Sequence, residues 1–472
     1  MNFPSKKISS IFLSIAASHS SSNPGRSAAK MSSSSIEIID ESLYSRQLYV
    51  MGHVAQRRMA SSSVLLCGLG GGLGVETAKN LILAGVKSVT LYDSQNASYL
   101  DLAANFFLSE ESIGSNRAAK CAEKLAELNP YVSVGAIDPV FKTLADWQAY
   151  ITKSAITVLV LANYSEVLED SGVSTEELCD WCHTQGVCVV MGEVQGVFAR
   201  IFTDFGEAFV VNDRTGEVPA TSMVGNITCA AHETEPSTIT LIVSVLEDTR
   251  HNLEHGDFVT ISNVEGMSEL TLLLQGEQGV EGQVRVKDPF TFEIDIHTTV
   301  PLASVSPYSR GGYVKQVIKA TTVKFKCLSE ANREPCKDGG CLGGDVVKMD
   351  AFGPLHVAFT ALHAFRKEKG HFPQPGNTAH AAEVYERSVT LQKDGAEQAV
   401  GVTEKALADK ETMINRLALC CQGSISPMCA LIGGILGQEV LKVHRHTIHT
   451  LYTHYTPLYT PIHRRVPASS CL

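Results

Sequence analysis

A glycine run, GLGGGLG, follows directly after the apolar segment SVLLC and constrains the fold of this chain more than any other feature. A helical pattern follows from Val75 to Ala84, and a second short strand then runs from Val86 to Tyr92 and ends at Asp93. Strand, glycine turn, helix and strand in this order are typical of a Rossmann-like unit, whose helix start presents backbone N–H groups to anions. The spacing departs from G-x-G-x-x-G, because Leu73 or Val75 stands where the third glycine belongs.

The glycine turn at residues 68–74 admits two interpretations. In the first, the turn binds a nucleotide, and Asp93 at the end of the second strand accepts hydrogen bonds from ribose hydroxyls. In the second, the glycines only permit a tight strand-to-helix turn against the sheet. The pattern therefore predicts a Rossmann-like fold and leaves the binding of a nucleotide by the turn open.

Strands and helices continue to alternate beyond this unit. A helical pattern over 113–129 is followed by strands over 132–137 and 156–161, a helix over 178–185 and a strand over 187–191. This alternation predicts an α/β domain with a parallel, doubly wound sheet.

The pattern changes after Val211. The segments HGDFVTISNVEGM and KDPFTFEIDI, with turn residues around them, predict a small inserted all-β barrel between about 215 and 312. From Met349 onward apolar residues return to helical spacing, interrupted by the loop FPQPGN. This part predicts a helical bundle packed on the first domain.

Composition excludes several classes of function. With 39 Lys plus Arg against 50 Asp plus Glu, the chain lacks a basic footprint for nucleic acid. The longest apolar stretch away from the start, 428–441, is too short to cross a membrane. Thirteen scattered Cys without a disulfide framework predict a reducing compartment, the cytosol or the nucleus. We therefore expect neither a nucleic-acid partner nor a membrane contact.

The first thirty residues carry no acid, many Ser and a short apolar patch, which is the composition of an organelle-targeting segment. The alternative, which we favour, is an upstream start site. Met31 follows immediately, and a Ser-rich, acidic segment then leads to Tyr44.

Two groups of cysteines invite a metal-site interpretation. Cys179 and Cys182 form a lone C-x-x-C in a helical segment, where a buried helix face is favoured because structural zinc needs four ligands. Cys327, Cys336 and Cys341 lie in or near the Gly-rich stretch KDGGCLGGD, where metal binding is again the less favoured alternative. We expect no metal ligand among these residues.

Several long segments resemble the ubiquitin-activating enzymes. The resemblance is carried by YSRQLYVMGH at 44–53, KNLILAGVKSVTLYD, DFGEAFVVND at 204–213, RHNLEHGDFVTISNVEGM and GGILGQEVLK, and it covers about residues 44–442. In that family the amino-terminal half is an adenylation-type repeat without an active site of its own. The first catalytic-cysteine half-domain interrupts this repeat, and a four-helix bundle follows.

The resemblance implies a domain organisation with a Rossmann-like ThiF/MoeB-type fold. The expected parts are a disordered or targeting tail (1–43), the first part of the adenylation-type domain (44–213), an inserted β-barrel that is the first catalytic-cysteine half-domain (214–312), a helical bundle (313–410), a return helix of the adenylation-type domain (411–442) and an atypical tail (443–472). One interpretation of the tail, from its His, Tyr, Thr and Arg residues, is a tract that binds metal or nucleic acid. We favour read-through in a mis-spliced or mis-predicted gene, because the resemblance stops at Lys442.

The resemblance also implies roles for particular residues. Active repeats carry an Asn-Leu-Asn-Arg-Gln-Phe-like stretch, and here Ala104 replaces the Arg that would neutralise phosphate charge. Arg46 in YSRQL matches the family arginine that reaches the ATP phosphates bound by the partner repeat. The alternative for Arg46 is an ion pair on the surface of an N-terminal helix. Asp93 and the glycines are expected to serve the fold only.

We therefore expect the non-catalytic half of a ubiquitin-activating enzyme, inactive by itself. It would support ATP-dependent adenylation and thioester activation of ubiquitin by a catalytic half that binds ATP and Mg²⁺. No cysteine here matches the family's catalytic motif, so no catalytic residue is expected. The alternative is a stand-alone regulatory subunit of a heterodimeric enzyme for a ubiquitin-like modifier, although such subunits usually lack the β insertion. The glycine spacing and the lack of a catalytic pair count against a nicotinamide-dependent oxidoreductase.

Overall fold

The computed structural model describes residues 40–445 except 139, 165–167, 169–171, 213–217, 233–234, 236, 247–249, 271–279, 334–348 and 394–401, together with the backbone of 456–459. The helices of this part are, in chain order, Ser45–Met59 (α1), Leu73–Ala84 (α2), Arg117–Leu125 (α3), Leu144–Lys153 (α4), Thr175–Gln185 (α5), Leu328–Arg333 (α6), Met349–Lys369 (α7), Thr378–Lys393 (α8), Glu404–Asp409 (α9), Glu411–Cys420 (α10) and Ser426–Arg445 (α11). The strands are Ser63–Cys67 (β1), Ser88–Tyr92 (β2), Ser133–Ala136 (β3), Val158–Ala162 (β4), Cys188–Gln195 (β5), Phe198–Asp204 (β6), Phe209–Val211 (β7), Thr221–Ala231 (β8), Thr238–Val245 (β9), Phe258–Gly266 (β10), Val280–Gln283 (β11), Arg285–Asp288 (β12), Thr291–His297 (β13), Tyr308–Val317 (β14), Thr321–Val323 (β15) and Thr456–Tyr459 (β16).

The first sheet has the strand order β16-β6-β5-β4-β1-β2-β3. Its strands from β5 to β3 are parallel, whereas β6 and β16 run antiparallel to their neighbours. The predicted parallel sheet is therefore confirmed for five strands and wrong at one edge. The reason is the two-residue turn between β5 and β6, which is too short for the crossover that parallel strands require.

Helices cover this sheet on both faces, as expected for a doubly wound fold. Val64 and Leu66 of β1 belong to one apolar core, which also contains residues of α2, α3 and α11. Leu65 and Cys67 belong to a second core with residues of α4 and α5. All five residues of β1 are buried, because successive side chains of a strand point to opposite faces and both faces are covered.

Two predicted helices have different bounds in the structure. The pattern over 113–129 contains a shorter α-helix, α3, which starts after Asn116 because that side chain accepts a hydrogen bond from Ala119 N. The last turn of the predicted segment, Ala126–Leu128, is a 3₁₀ helix. The helix predicted over 178–185 starts earlier, because Ser174 caps it through Glu177 N.

The second sheet consists of antiparallel strands in the order β11-β10-β14-β8-β9-β13-β12. Strand β8 pairs with β14 through residues 221–223 and with β9 from Val224 onward, and the β8–β9 pairing has a register shift between Val224 and Asn226. Ile294 of β13 packs against Gly282 of β11, which brings the two ends of the sheet together. The inserted all-β domain is thus confirmed, and its last strand continues to Val317.

The helices α7, α8 and α10 pack on one another around a third core, which also contains Phe198 of β6, the strand next to the edge of the first sheet. Helix α10 thus packs with the bundle, although it lies in the segment 411–442 that we expected to return to the adenylation-type domain. Helix α11 packs on α2 and on β5. This packing favours a boundary between Cys420 and Ser426.

The predicted tail begins within an ordered element, because α11 continues to Arg445. Strand β16 then pairs with β6, with Tyr459 opposite Phe198. The other tail residues, 446–455 and 460–472, lie outside the described residues, as does the predicted targeting segment 1–30. Among the helices that the structure describes, none is long and apolar enough to span a membrane.

Candidate functional site

The glycine turn connects β1 to α2 and is packed against neighbouring backbone. Gly68 has φ +93°, and a Cβ there would lie 1.9 Å from the carbonyl oxygen of Ala162. A Cβ at Gly74 would lie 2.0 Å from the carbonyl oxygen of Gly68. No larger residue fits either position, so these glycines are needed for the close approach of the turn to β4 and to itself.

Two buried carboxylates accept hydrogen bonds from the backbone of the turn. Leu69 N donates to Asp93 Oδ2 over 2.7 Å, and Gly71 N donates to Asp101 Oδ1 over 3.2 Å. The second oxygen of Asp93 accepts a bond from Gln95 N at 2.9 Å. Asp93 is 2% exposed and Asp101 is 4% exposed. Asp93 therefore serves the construction of the turn, and these two carboxylates contact backbone donors that a phosphate group would use.

Arg117 of α3 lies between the two carboxylates and completes what we call the turn cluster (Asp93, Asp101 and Arg117). Its Nε donates to Asp101 Oδ2 over 3.1 Å, and a terminal guanidinium nitrogen lies 3.7 Å from Asp93 Oδ2. Ser98 adds two donors to Asp101, its backbone N and its hydroxyl, both at 2.8 Å. An external anion would have to compete with these carboxylates for the same N–H groups.

The stretch from Asp101 to Phe106 packs directly beneath the turn. Ala104 borders Gly72, where a Cβ would lie 3.2 Å from the Ala104 methyl group and 3.0 Å from its carbonyl oxygen. Asn105 is fully buried, and its Nδ2 donates to Leu69 O over 3.1 Å. Ala104 thus supports the turn by packing and offers no cation to it.

A cavity of about 460 Å³ opens beside the turn, at the carboxyl ends of β1, β2, β4 and β5. Its lining includes Gly70, Gly71, Asp101 and Arg117, the side chains of Arg366 and His371, and several uncharged polar side chains: Gln95, Ser98, Asn163, Gln195, Gln422 and Ser424. This is the edge where ligands bind in open α/β sheets, and its volume is in the range of small-molecule sites.

Arg46 does not line this cavity; it lies exposed on α1, whose first turn is anchored to the sheet domain. The Tyr44 hydroxyl accepts a hydrogen bond from Asn129 Nδ2 over 2.8 Å, and Gln47 Nε2 donates to Ala84 O over 2.9 Å. Within the part of the chain described above, Arg46 forms no ion pair. The alternative role of Arg46, a surface ion pair, would therefore need an acidic partner outside those residues.

The C-x-x-C cysteines lie where a buried helix face was predicted. Cys179 and Cys182 are both buried, and Cys179 Sγ lies 3.8 Å from Met191 Sδ. Burial raises the pKa of Cys182 to about 12, so its thiol stays protonated and unreactive at neutral pH. Cys327 lies 3.3 Å from the Ser329 hydroxyl, while positions 336 and 341 fall outside the described residues. Among the residues that are described, no group of three or more His, Cys, Asp or Glu is arranged to hold a metal ion.

A second ionic group, which the sequence did not predict, lies at the β5–β6 hairpin. We call it the hairpin cluster (Tyr164, Glu193, Arg200 and His363). Glu193 and Arg200 face each other across the hairpin, with Arg200 Nε 2.6 Å from Glu193 Oε2. His363 of α7 places Nε2 at 2.9 Å from Glu193 Oε1, and Arg200 also donates to the Tyr164 hydroxyl over 2.8 Å. One available signal was an acidic and a basic residue, Glu193 and Arg200, within two mainly apolar strands that a tight turn joins.

The charges of the hairpin cluster shift the pKa values of the groups around it. Burial alone would raise the pKa of Glu193, but the charges and hydrogen bonds of Arg200 and His363 lower it to about 2. The neighbouring His356 is also buried, and burial together with the Arg200 charge lowers its pKa to about 4. At neutral pH Glu193 is therefore ionised, whereas His356, outside the cluster, is neutral.

The class of the fold follows from a comparison with known families. The ThiF family model matches residues 44–220, which contain the glycine turn and the turn cluster. The model of the ubiquitin-activating enzyme E1 FCCH domain matches residues 239–318, and that of the ubiquitin-activating enzyme E1 four-helix bundle matches residues 319–392. The chain is thus a ThiF-type protein with an inserted barrel and a helical bundle.

Three curated relatives show the same kinship. Ubiquitin-like modifier-activating enzyme 1 of Oryctolagus cuniculus is 39% identical over 86% of this chain and 34% of its own length. Ubiquitin-activating enzyme E1 1 of Triticum aestivum is 36% identical over 88% of this chain and 36% of its own. Ubiquitin-activating enzyme E1 1 of Schizosaccharomyces pombe is 38% identical over 86% of this chain and 35% of its own length. The chain belongs to the ubiquitin-activating enzyme family and spans about a third of the length of these relatives.

Among solved structures, that of PaaA is 16% identical over 37% of this chain and 54% of its own, with a TM-score of 0.30. This score is too low to carry an argument about the present chain.

Proposed function

We propose that this chain is the non-catalytic half of a ubiquitin-activating enzyme. In this proposal it supports ATP-dependent adenylation and thioester activation of ubiquitin, while ATP and Mg²⁺ are bound by a catalytic half in the same or a separate chain. The observation that carries the proposal is the occupied glycine turn, whose N–H groups at Leu69 and Gly71 already donate to Asp93 and Asp101. A nucleotide phosphate does not fit this donor set.

The residue in the position of the family arginine supports the same conclusion. Adenylation builds negative charge on the α-phosphate and its leaving group, which requires cations or N–H donors aimed at those oxygens. Ala104 supplies neither, and the nearby Arg117 is engaged by Asp101. The turn therefore lacks a free cation from either residue.

Exposed apolar side chains beside the turn support pairing with a second repeat. Tyr99 is 72% exposed, Leu100 is 83% exposed and Phe106 is 56% exposed. All three belong to the segment that holds Asp101 and packs beneath the turn. Large apolar side chains that stay exposed close together in the chain favour a face that another protein covers. We assign this face to the catalytic repeat.

Arg46 has the position that a residue acting across such an interface requires. Its side chain is exposed, while Tyr44 and Gln47 fix the start of its helix on the sheet domain. A guanidinium held in this way can reach phosphate oxygens of a partner at little entropic cost. We propose that Arg46 contacts the ATP phosphates bound by the catalytic half.

The experiment is ATP–pyrophosphate exchange in the presence of ubiquitin. The chain alone should give no exchange above the blank, and addition of a recombinant catalytic half from a relative should restore it. Arg46→Ala should lower the exchange rate of the mixture by roughly 10³-fold, the lower end for an arginine finger. Arg57→Ala, an exposed arginine beyond the kink that Gly52 introduces in α1, is the control and should leave exchange unchanged.

Two outcomes contradict this proposal. Exchange by the chain alone would show that the turn binds a nucleotide productively. Exchange by the Arg46→Ala mixture at the wild-type rate would remove the role of Arg46. If exchange appears only with a partner specific for another modifier, the alternative of a regulatory subunit for a ubiquitin-like protein replaces the proposal.

A further inference from the structure

The donors around Asp101 form a complete anion site. Its Oδ1 accepts from Gly71 N at 3.2 Å. Its Oδ2 accepts from Ser98 N and the Ser98 hydroxyl, both at 2.8 Å, and from Arg117 Nε at 3.1 Å. Two backbone N–H groups, a hydroxyl and a guanidinium around one carboxylate are the donor types that bind phosphate in other proteins.

The carboxylate that fills this anion site belongs to the chain itself and therefore cannot dissociate from it. Asp101 starts a 3₁₀ turn, Asp101–Ala103, and its own carbonyl oxygen accepts a bond from Asn105 N at 2.9 Å. An anion tethered in this way competes at a high effective concentration with any free anion. The carboxylate is also nearly inaccessible to solvent, since Asp101 is 4% exposed.

Lack of space does not exclude a phosphate group from the glycine turn. The adjoining cavity of about 460 Å³ reaches Gly70, Gly71 and Arg117, so a phosphate-sized group has room beside them. Although Arg366 also lines the cavity, the remaining obstacle is charge at the turn itself, because the two carboxylates of Asp93 and Asp101 contact the one guanidinium of Arg117. A phosphate would be a further anion in a poorly screened space.

We infer that the glycine turn is a latent phosphate site which the carboxylate of Asp101 keeps closed. Asp101 is thus the residue that determines specificity against anionic ligands at this edge of the sheet. The inference deepens the proposed function by naming how a nucleotide is excluded, but its test uses this chain alone. Its failure therefore leaves the exchange experiment with the catalytic half untouched.

The test measures the binding of inorganic pyrophosphate to the full 472-residue chain by titration calorimetry. Asp101→Ala removes the carboxylate from the anion site and leaves the donors of Gly71, Ser98 and Arg117 in place. This variant should bind pyrophosphate saturably and at least about tenfold more tightly than the wild type, the ratio that 1.4 kcal/mol of relieved repulsion produces. Added pyrophosphate should also raise the thermal midpoint of this variant and not that of the wild type.

The control for loss of one negative charge is Asp138→Ala, since Asp138 is exposed on the same domain. It should bind pyrophosphate as the wild type does. Equal affinity of Asp101→Ala and Asp138→Ala, or tight binding by the wild type, overturns the inference. If circular dichroism shows that Asp101→Ala is unfolded, the isosteric Asp101→Asn decides. Tighter pyrophosphate binding than in the wild type supports the inference, and equal binding overturns it.

Discussion

The turn cluster and the hairpin cluster both bury ion pairs in the first sheet domain, but they use their charges differently. In the turn cluster the carboxylates of Asp93 and Asp101 accept hydrogen bonds from backbone N–H groups, and Arg117 pairs with both carboxylates. In the hairpin cluster Glu193 binds side chains from two elements, Arg200 of β6 and His363 of α7. One cluster shapes a loop, and the other joins the sheet to the helical bundle.

The difference between them is also one of distance along the chain. Asp101 and Arg117 are 16 positions apart, whereas Glu193 and His363 are 170 positions apart. Local clusters form with the supersecondary unit that contains them, while long-range clusters need two layers to dock. Loss of the turn should therefore disrupt the sheet domain, and loss of the hairpin cluster should loosen its contact with the bundle.

The largest expected effect is at the turn itself. Gly68→Ala introduces a Cβ that would lie 1.9 Å from Ala162 O, at a residue with φ +93°. Because neither backbone can move freely within the sheet, we expect a loss of about 5 kcal/mol or more in the free energy of unfolding. Urea unfolding measures it. Gly135→Ala in β3 is the control, since nothing lies within 4 Å of its Cβ and its φ is not positive. A loss below about 1 kcal/mol in Gly68→Ala would show that the turn relaxes.

A smaller effect is expected at the hairpin. Glu193→Ala leaves the guanidinium of Arg200 buried without its carboxylate, which should cost about 3–4 kcal/mol in urea unfolding. The double variant Glu193→Leu with Arg200→Leu should recover part of this loss, because it removes both charges. Glu265→Ala is the control, because it breaks an exposed pair with Arg310 and should change little. Equal losses in the two single variants would mean that the hairpin cluster behaves like a surface pair.

The smallest expected effect is a loss of stability at acid pH, which we expect from the surroundings of the hairpin cluster and not from the turn. His356 has a pKa of about 4 in the folded state against an ordinary 6.5, because burial and then Arg200 disfavour its charged form. The unfolded state therefore binds more protons, and stability is complete above pH 6.5 and falls as the pH drops toward 4. The loss should reach roughly 2–3 kcal/mol at pH 4.

Urea unfolding between pH 4 and 7 should thus show a shallower slope in His356→Leu than in the wild type. Glu193 acts in a lower window, because its pKa of about 2 lies below the ordinary 4.5. Its contribution is complete above pH 4.5 and is lost between 4.5 and 2. An identical slope for the wild type and His356→Leu would remove His356 as the source of the acid sensitivity.

The first sheet shows how far reasoning from the pattern extends. The strand and helix order around the glycine turn was predictable, because apolar runs, Gly and Pro punctuation and helical spacing are local signals. The antiparallel edge was missed, although the short turn at Gly196 already excludes a parallel crossover. The packing of α10 with the bundle was also missed, because amphipathic spacing shows which face of a helix is buried but does not identify the element that covers it.

The sequence by itself determined the α/β class of this protein, its inserted all-β domain and its family, because each rests on local periodicity or on long matching segments. Only the tertiary structure decided that Asp101 and Arg117 fill the donors of the glycine turn, and that His363 meets Glu193 and Arg200. Those contacts depend on distances between side chains on different elements. Such distances are fixed only when the sheet and its helices have packed together.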